Sequence, residues 1–119
     1  MSNDLALQHE PITDLFPRPT ESADWERHLL SDEQLVHFKE QGFVNGIRLL
    51  SDEQIDALRA ELAEMTDPNH EGNELFYEYH SNESDHPDTV LFHALGAWRV
   101  RSAFHDILWN SAFLLPAYQ

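Results

Sequence analysis

The clearest pattern of apolar and polar positions in this chain is a seven-residue segment that occurs twice. Residues 29–35 read LLSDEQL and residues 49–55 read LLSDEQI. In each copy a glutamine follows a serine at the spacing of a capping box, and aliphatic residues occupy the two hydrophobic-staple positions. The pattern predicts two helices, with Ser31 and Ser51 as their N-caps. Two copies are too few for a solenoid, and shared helix-start chemistry accounts for the repeat.

The ends of these two helices can also be predicted. The first should run to Gln41 and stop at Gly42, because glycine accommodates the left-handed conformation that ends many helices. The second carries apolar residues at steps of three and four and should end before Pro68. Its apolar stripe consists of Ile55, Leu58, Leu62 and Met65. Residues 43–49, between the helices, are too short for another helix and predict a brief extended segment.

The N-terminal region, residues 1–28, has no sustained hydrophobic period. It contains three of the six prolines in the chain. Proline restricts the backbone and interrupts regular structure, so we expect an extended and partly disordered lead-in. A short helix over residues 23–28 is expected within it, with Trp25 as its apolar anchor.

The remaining residues, up to the C-terminus, predict short elements. Residues 75–80 are aromatic and favour a strand, and residues 81–87 form a polar loop. The apolar segment 89–98 is compatible with either a short helix or a strand. Ser102 then has the position of an N-cap for a helix that uses Phe104, Ile107 and Leu108. The predicted fold class is therefore α+β and mostly α, with residues 29–119 as one structural region.

The last segment, opened by Asn110, is among the most apolar in the chain. No glycine C-cap, basic last turn or polar tail follows it. A helix that leaves its apolar residues without a partner element is typical of part of a larger structure. These residues are Phe113, Leu114, Leu115 and Tyr118. We therefore expect the chain to be a piece of a longer protein.

Composition adds a strong constraint, because 22 Asp and Glu face only 7 Lys and Arg, for a formal charge of −15. Such a chain repels nucleic-acid phosphates and anionic membrane surfaces, so we expect neither as a partner. The chain should nevertheless fold, since Leu, Ile, Val and Phe make up about 26% of it, above the level of about 20% that is typical of disordered chains.

The absence of cysteine excludes disulfides, zinc–thiolate sites, iron–sulfur clusters and cysteine nucleophiles. The N-terminus is acidic and lacks the apolar core of a signal peptide. No apolar run approaches the length of about 20 residues that a membrane span needs. These features predict a soluble, cytoplasmic protein.

Among eight histidines, the sharpest candidate for metal chemistry is the segment His86-Pro87-Asp88. It matches the His-x-Asp half of a facial triad for iron, and His93 or His105 could supply a third ligand. A match of this kind is expected by chance in a chain so rich in His and Asp. It also lies in a polar loop, so loop polarity is the simpler interpretation.

Two further groups of residues are candidates for ligand sites. Tyr77, Tyr79 and His80 could line a pocket or form the edge of a core. The segment Trp98-Arg99-Val100-Arg101 could grip an acidic ligand, or its arginines could pair with carboxylates of this acidic chain. Core packing and internal ion pairing are the simpler interpretations. The sequence contains no glycine-rich phosphate loop and no nucleophile-elbow or zinc-protease motif.

The order of these elements resembles the N-terminal region of the phytanoyl-CoA dioxygenase family. The resemblance lies in residues 30–44, LSDEQLVHFKEQGFV, and in the second capped helix, LLSDEQIDALRAEL. Residues 91–99, LFHALGAWR, together with residues 104–119, are similar to the segment that precedes the catalytic barrel in bacterial members. The resemblance spans residues 29–119.

This resemblance implies an oxidoreductase that depends on Fe(II) and 2-oxoglutarate and is built on a double-stranded β-helix, or jelly roll. The family's His-x-Asp pair, distal His and basic 2-oxoglutarate ligand lie on barrel strands downstream of these elements. His86 and Asp88 lie upstream of them, so no catalytic, metal-binding or cofactor-binding role is carried over to any residue of this chain. We expect an N-terminal fragment that binds neither Fe(II) nor 2-oxoglutarate and is inactive alone. Its parent would hydroxylate an aliphatic C–H bond of a small organic substrate, and its partner would be the missing C-terminal barrel.

The alternative is a complete, non-catalytic acidic interaction module. In that case the apolar C-terminal helix would dock on a partner protein, since exposed apolar surface on a small domain often marks such a site.

Overall fold

The computed structural model describes residues 3–119 as a mostly helical chain with one small antiparallel sheet. The helices are α1 (Ser22–Glu26), α2 (Asp32–Gln41), α3 (Asp52–Met65), α4 (Ser102–Asp106) and α5 (Ser111–Tyr118). The strands are β1 (Glu78–His80) and β2 (His93–Leu95). Short 3-10 turns cover Leu5–Leu7, Asn73–Leu75, Ala97–Arg99 and Ile107–Trp109. This confirms the predicted mixture, mostly α with short strands.

The repeated sequence segment forms the same structure twice. Ser31 Oγ accepts a hydrogen bond from the Gln34 amide at 3.2 Å, and Gln34 Oε1 accepts one from the Ser31 amide at 2.9 Å. Ser51 and Gln54 make the same pair of bonds at the same distances. Both predicted capping boxes are therefore confirmed.

The predicted helix ends are confirmed as well. Gly42 closes α2 with φ of +80°, a conformation that side-chain-bearing residues rarely adopt. Helix α3 ends at Met65, and Thr66 is its C-cap. The short N-terminal helix is present as α1, and Asn110 caps α5 by accepting a hydrogen bond from the Ala112 amide.

Residues 43–49, for which a brief extended segment is predicted, have no regular secondary structure. Two sequence expectations are corrected. The strand expected over residues 75–80 begins only at Glu78, since Leu75 belongs to a 3-10 turn and residues 76–77 have no regular element. Ser102 is not an N-cap but the first residue of α4.

The cap of α4 comes from another helix. Both carboxylate oxygens of Glu61 in α3 accept from the Ala103 amide, at 2.9 and 3.0 Å, and one also accepts from the Phe104 amide at 3.3 Å. A carboxylate at a helix N-terminus satisfies amides that have no partner within the helix. A tertiary contact therefore replaces the local serine cap that the sequence predicts.

The two strands form an antiparallel hairpin in which His80 lies opposite His93. The ambiguous segment 89–98 thus contributes strand β2, followed by a 3-10 turn. Gly96 stands between them with φ of +100°, and a Cβ atom there would lie 3.1 Å from the Tyr77 ring. The close approach and the backbone conformation both require glycine at this position.

The buried core of the described residues is small. Its apolar side chains are Leu5, Phe16, Met65, Ala103 and Ala112. The Cα radius of gyration is 17.1 Å, whereas a compact domain of this length has about 13.5 Å. The accessible surface is 8542 Å², against about 6,600 Å² for a typical monomer of 13.8 kDa. The chain is therefore less compact than a typical domain of its length and leaves more of its surface accessible to solvent.

Replacing the N-cap serine of α3 tests the capping box. We expect Ser51→Ala to lower the free energy of unfolding by about 1 kcal/mol, because the Gln54 amide loses its acceptor. Chemical denaturation would measure this change. Ser81→Ala, on an exposed loop, is the matched control and should change stability by less than about 0.5 kcal/mol. Equal effects of the two substitutions would contradict the role assigned to Ser51.

Candidate functional site

The most completely buried polar group in the described residues is the carboxylate of Asp106, at the end of α4. Its Oδ1 accepts hydrogen bonds from the Ile12 amide at 2.9 Å and from His105 Nδ1 at 2.8 Å. Its Oδ2 accepts from the Thr13 amide at 2.6 Å and from Thr13 Oγ1 at 2.7 Å. All four bonding positions of the carboxylate are occupied, so it has no position left for a substrate or a metal ion.

His105, beside it, is also fully buried, and both of its ring nitrogens have hydrogen-bond partners. Its Nδ1 faces Asp106 and its Nε2 lies 3.3 Å from the Gln8 carbonyl oxygen. Its ring also lies against that of Trp109, with 4.8 Å between the centroids. The pair therefore joins the N-terminal lead-in to α4.

The electrostatics of Asp106 follow from this geometry. Burial by itself raises the pKa of a carboxyl group, because it disfavours the charged form. Here the hydrogen bonds from the Thr13 side chain, from His105 and from the amides of Ile12 and Thr13 outweigh burial and hold the pKa of Asp106 below its ordinary value. The carboxylate is therefore charged at neutral pH and depends on its donors.

A second tie joins the start of the lead-in to the hairpin region. The Arg99 guanidinium donates to both carboxylate oxygens of Asp4, at 3.1 and 2.5 Å, and to the Leu75 carbonyl at 2.8 Å. It also lies over the Tyr77 ring, 4.8 Å from its centroid. The hydrogen bond with Arg99 lowers the pKa of Asp4, and the same bond raises the pKa of Arg99.

The structure thus pairs the arginines of the 98–101 segment internally. Arg99 pairs with Asp4, and Arg101 Nε lies 3.1 Å from Glu64 Oε2 of α3. Of the aromatic candidates, Tyr79 donates its hydroxyl to the Met65 carbonyl at 2.9 Å, and burial is the main cause of its raised pKa. Tyr79 is an edge of the core, whereas Tyr77 remains exposed.

The metal candidates of the sequence lie apart. His86 and Asp88 are on an exposed loop, whereas His105 is buried against Asp106. His93 lies near Glu78 and Glu83, with 3.8 and 4.0 Å between the nearest ring nitrogens and carboxylate oxygens. Within residues 3–119, no three His, Asp or Glu side chains are arranged to hold a metal ion. The structure therefore gives the His86–Asp88 motif no ligand set.

The surface that stands out is an apolar groove between α2 and α5. Leu35 and Phe38 of α2, Val44 and Ile47 of the connecting segment, and Phe113 and Pro116 of α5 line it, and we call this surface the apolar groove. Its cavity has a volume of about 570 Å³. Phe38 is 51% exposed and Phe113 is 39% exposed, which is high for large apolar side chains.

The groove is held in shape at one end by an amide pair. Gln119 Oε1 accepts from the Leu30 amide at 2.7 Å, and Gln119 Nε2 donates to the Leu30 carbonyl at 3.1 Å. At the other end, Asn110 Nδ2 donates to the Leu49 carbonyl at 3.2 Å. These side-chain bonds hold α5 beside α2 although the apolar residues between them remain exposed. The arrangement suits the burial of an apolar surface.

The sequence reasoning predicted the exposed apolar residues of α5 but missed the Asp106 network. The two ends of that network are separated by 93 positions in the chain, and neither Thr13 nor Asp106 belongs to a recognisable motif. No local signal marks such a contact.

No helix in the part of the chain that the structure describes has the length and apolar character needed to cross a membrane.

Comparison of the chain with protein-family models found no match, and comparison with curated proteins found none either. The resemblance to phytanoyl-CoA dioxygenases therefore stays a prediction from the sequence.

Substitution of Asp106 tests its role as an anchor. We expect Asp106→Asn to lower the free energy of unfolding at pH 7 by about 3 kcal/mol, because the donors around it lose a buried charge. The lowered folded-state pKa makes this contribution complete above the unfolded value of 3.8 and lost as pH falls through the folded value. The difference between wild type and variant should therefore shrink in acid.

Denaturation curves recorded at pH 7 and at successively lower pH would measure this effect. Asp88→Asn, on the exposed loop, is the matched control and should leave stability nearly unchanged. A variant as stable as wild type at pH 7, or a difference that does not depend on pH, would contradict the assignment.

Proposed function

We propose that this chain is the N-terminal helical region of an Fe(II)- and 2-oxoglutarate-dependent dioxygenase that resembles the phytanoyl-CoA dioxygenase family. Its role there is structural: it packs on the outside of a double-stranded β-helix and helps to close the mouth of the barrel. The parent enzyme would hydroxylate an aliphatic C–H bond of a small organic molecule. We further propose that it acts in the cytoplasm.

The observation that carries this proposal is the apolar groove. Burial of apolar surface stabilises a fold by about 25 cal/mol per Å², so large exposed apolar side chains arranged around one groove favour a covering partner. The high radius of gyration and large accessible surface support the same conclusion, because a chain that packs on a barrel has no need to enclose its own core. The charge of −15 also favours a partner other than a second copy, because like-charged copies repel.

The groove also fits the order of the elements in the resemblance. The capped helix α2 and the C-terminal helix α5 form its two walls, and both lie within the segments that carry the resemblance. A barrel strand or helix laid into this groove would contact both. In this division of roles, iron and 2-oxoglutarate would bind to the barrel, and this chain would shape and shield the site without ligating either group.

The same groove supports one alternative function. A non-catalytic interaction module would use α5 and the groove to dock a separate protein, and the strongly acidic surface would then set the charge of that partner. In the dioxygenase proposal the surface that covers the groove belongs to the same polypeptide, and the isolated chain folds poorly. In the alternative the covering surface belongs to a separate protein, and the isolated chain folds well.

The first prediction concerns the gene. We expect the source transcript to remain open past the Gln119 codon and to encode His-x-Asp within alternating apolar strands, because the proposed role requires a barrel. Sequencing the transcript in all frames would test this. A stop codon with no barrel encoded in any frame would contradict the dioxygenase proposal and leave the interaction module.

The second prediction concerns the isolated chain. We expect it to bind an environment-sensitive apolar dye and to melt with weak cooperativity, because the groove is uncovered. Phe113→Gln should lower the dye fluorescence, since Phe113 lines the groove. Leu91→Gln, an exposed leucine outside the groove, is the matched control. A sharp cooperative melt without dye binding would favour the self-contained module.

A further inference from the structure

A second cavity, of about 430 Å³, lies on the other side of the segment that leads into α3. It is formed by the lead-in around Phe16 and Pro17, by the end of α1, and by residues 48–51. Its volume falls within the range of small-molecule sites, about 300–1,000 Å³. It shares only a few wall residues with the apolar groove, and its chemistry is different.

Arginine is concentrated at this cavity although the chain as a whole is acidic. Acidic residues outnumber Lys and Arg by 22 to 7 in the sequence. The walls of the cavity nevertheless contain three arginines, Arg18, Arg27 and Arg48, together with His28 and a single acidic residue, Asp24. Nearly half of the strongly basic side chains thus surround one cavity, where their positive charges favour an anionic ligand.

The existing partners of these arginines do not exhaust them. Arg18 Nη2 lies 2.9 Å from Glu10, Arg48 Nη2 lies 2.7 Å from Asp52, and Arg27 pairs with Asp24. In each pair one terminal nitrogen meets the carboxylate, and Arg48 Nε also donates to the Leu50 carbonyl at 3.1 Å. A guanidinium offers five N–H donors, so donors remain on all three arginines. The arginine side chains are 53–70% exposed, and exposed ion pairs of this kind contribute little to stability. An anion can therefore bind to the remaining donors or displace these carboxylates.

Apolar side chains form another part of the wall, beside the polar side chains of Ser51, Gln54 and Asn110. Phe16, Pro17, Pro19, Leu49 and Leu50 lie beside the arginines. A cavity with positive groups at one part of its wall and apolar side chains at another is complementary to an organic anion, in which a charged head is joined to an apolar body.

We propose that this cavity binds a small organic anion, a phosphate monoester or a carboxylate, whose head contacts Arg18, Arg27 and Arg48 and whose body contacts Pro17 and Pro19. The site is independent of the proposed dioxygenase role, because the resemblance places the iron and 2-oxoglutarate ligands on barrel strands outside this chain.

Calorimetric titration of the full chain with phenyl phosphate, benzoate and inorganic phosphate would test the proposal. We expect saturable binding with one site per chain for at least one of the two organic anions, and whichever binds identifies the headgroup. Arg27→Gln and Arg48→Gln should each weaken binding about tenfold, because each removes charge-assisted hydrogen bonds. Arg59→Gln, which makes the same charge change on the exposed surface of α3, is the matched control and should bind as wild type does.

A measurement on the unmodified chain keeps the test independent of whether the variants fold. Burial, and then the neighbouring Arg27, lower the pKa of His28 in the free chain. A bound anion should raise the pKa of His28, because a nearby negative charge favours the imidazolium form. Titration of the His28 ring resonances by NMR, with and without the ligand, would report this change.

Three outcomes would overturn the proposal. They are the absence of saturable binding by both organic anions, equal weakening by Arg59→Gln, and an unchanged pKa of His28 in the presence of a saturating ligand. If inorganic phosphate bound as tightly as phenyl phosphate, the apolar side chains of the wall would not contribute to binding. This result would overturn the proposal that the ligand is an organic anion.

Discussion

The buried carboxylate of Asp106 is the constraint on which the described architecture depends most. A charge removed from water is costly unless its hydrogen-bonding positions are filled, and four donors fill them here. Two of these donors are backbone amides of the lead-in, at Ile12 and Thr13. Helix α4 therefore cannot be buried without bringing the N-terminal region onto it. Phe16, only a few residues further on, becomes part of the small core as a consequence.

Hydrogen bonds between distant residues hold the elements of this chain together, whereas in many other domains a large apolar core does so. Glu61 caps α4 from α3, the Arg99 guanidinium joins Asp4 to the hairpin region, and Gln119 joins α5 to the start of α2. Each tie is directional, so together they define the arrangement of elements without enclosing many apolar side chains. The chain is well organised internally and still exposes the apolar groove. These two properties together are the basis for proposing that the groove has a covering partner.

The charge distribution separates two kinds of surface. The apolar groove is a place where a chain of strong negative charge offers apolar area, which suits a protein partner. The cavity around Arg27 is a place where the same chain concentrates positive charge, which suits a small anion. Neither surface contains the buried His105–Asp106 pair, whose polar atoms are already hydrogen-bonded within the chain.

The sequence alone determined several helix ends whose capping groups are local. The capping boxes at Ser31 and Ser51, the stop at Gly42 and the start of α5 at Asn110 each depend on groups within a few residues, so their patterns could be recognised directly. The apolar character of α5, and with it one wall of the groove, was also evident from its residues. The dioxygenase resemblance extends this reasoning, but it remains a prediction.

Only the tertiary structure decided which distant groups meet. The sequence predicts Ser102 as the cap of α4, whereas the structure has Glu61 in this role. The Glu61 carboxylate, on the neighbouring helix α3, accepts hydrogen bonds from the free amides of Ala103 and Phe104. The pairing of Thr13 with Asp106 and the gathering of Arg18, Arg27 and Arg48 around one cavity likewise have no local signature. Hydrogen bonds and electrostatic attraction act through space, so a pattern along the chain cannot specify contacts between residues that only folding brings together.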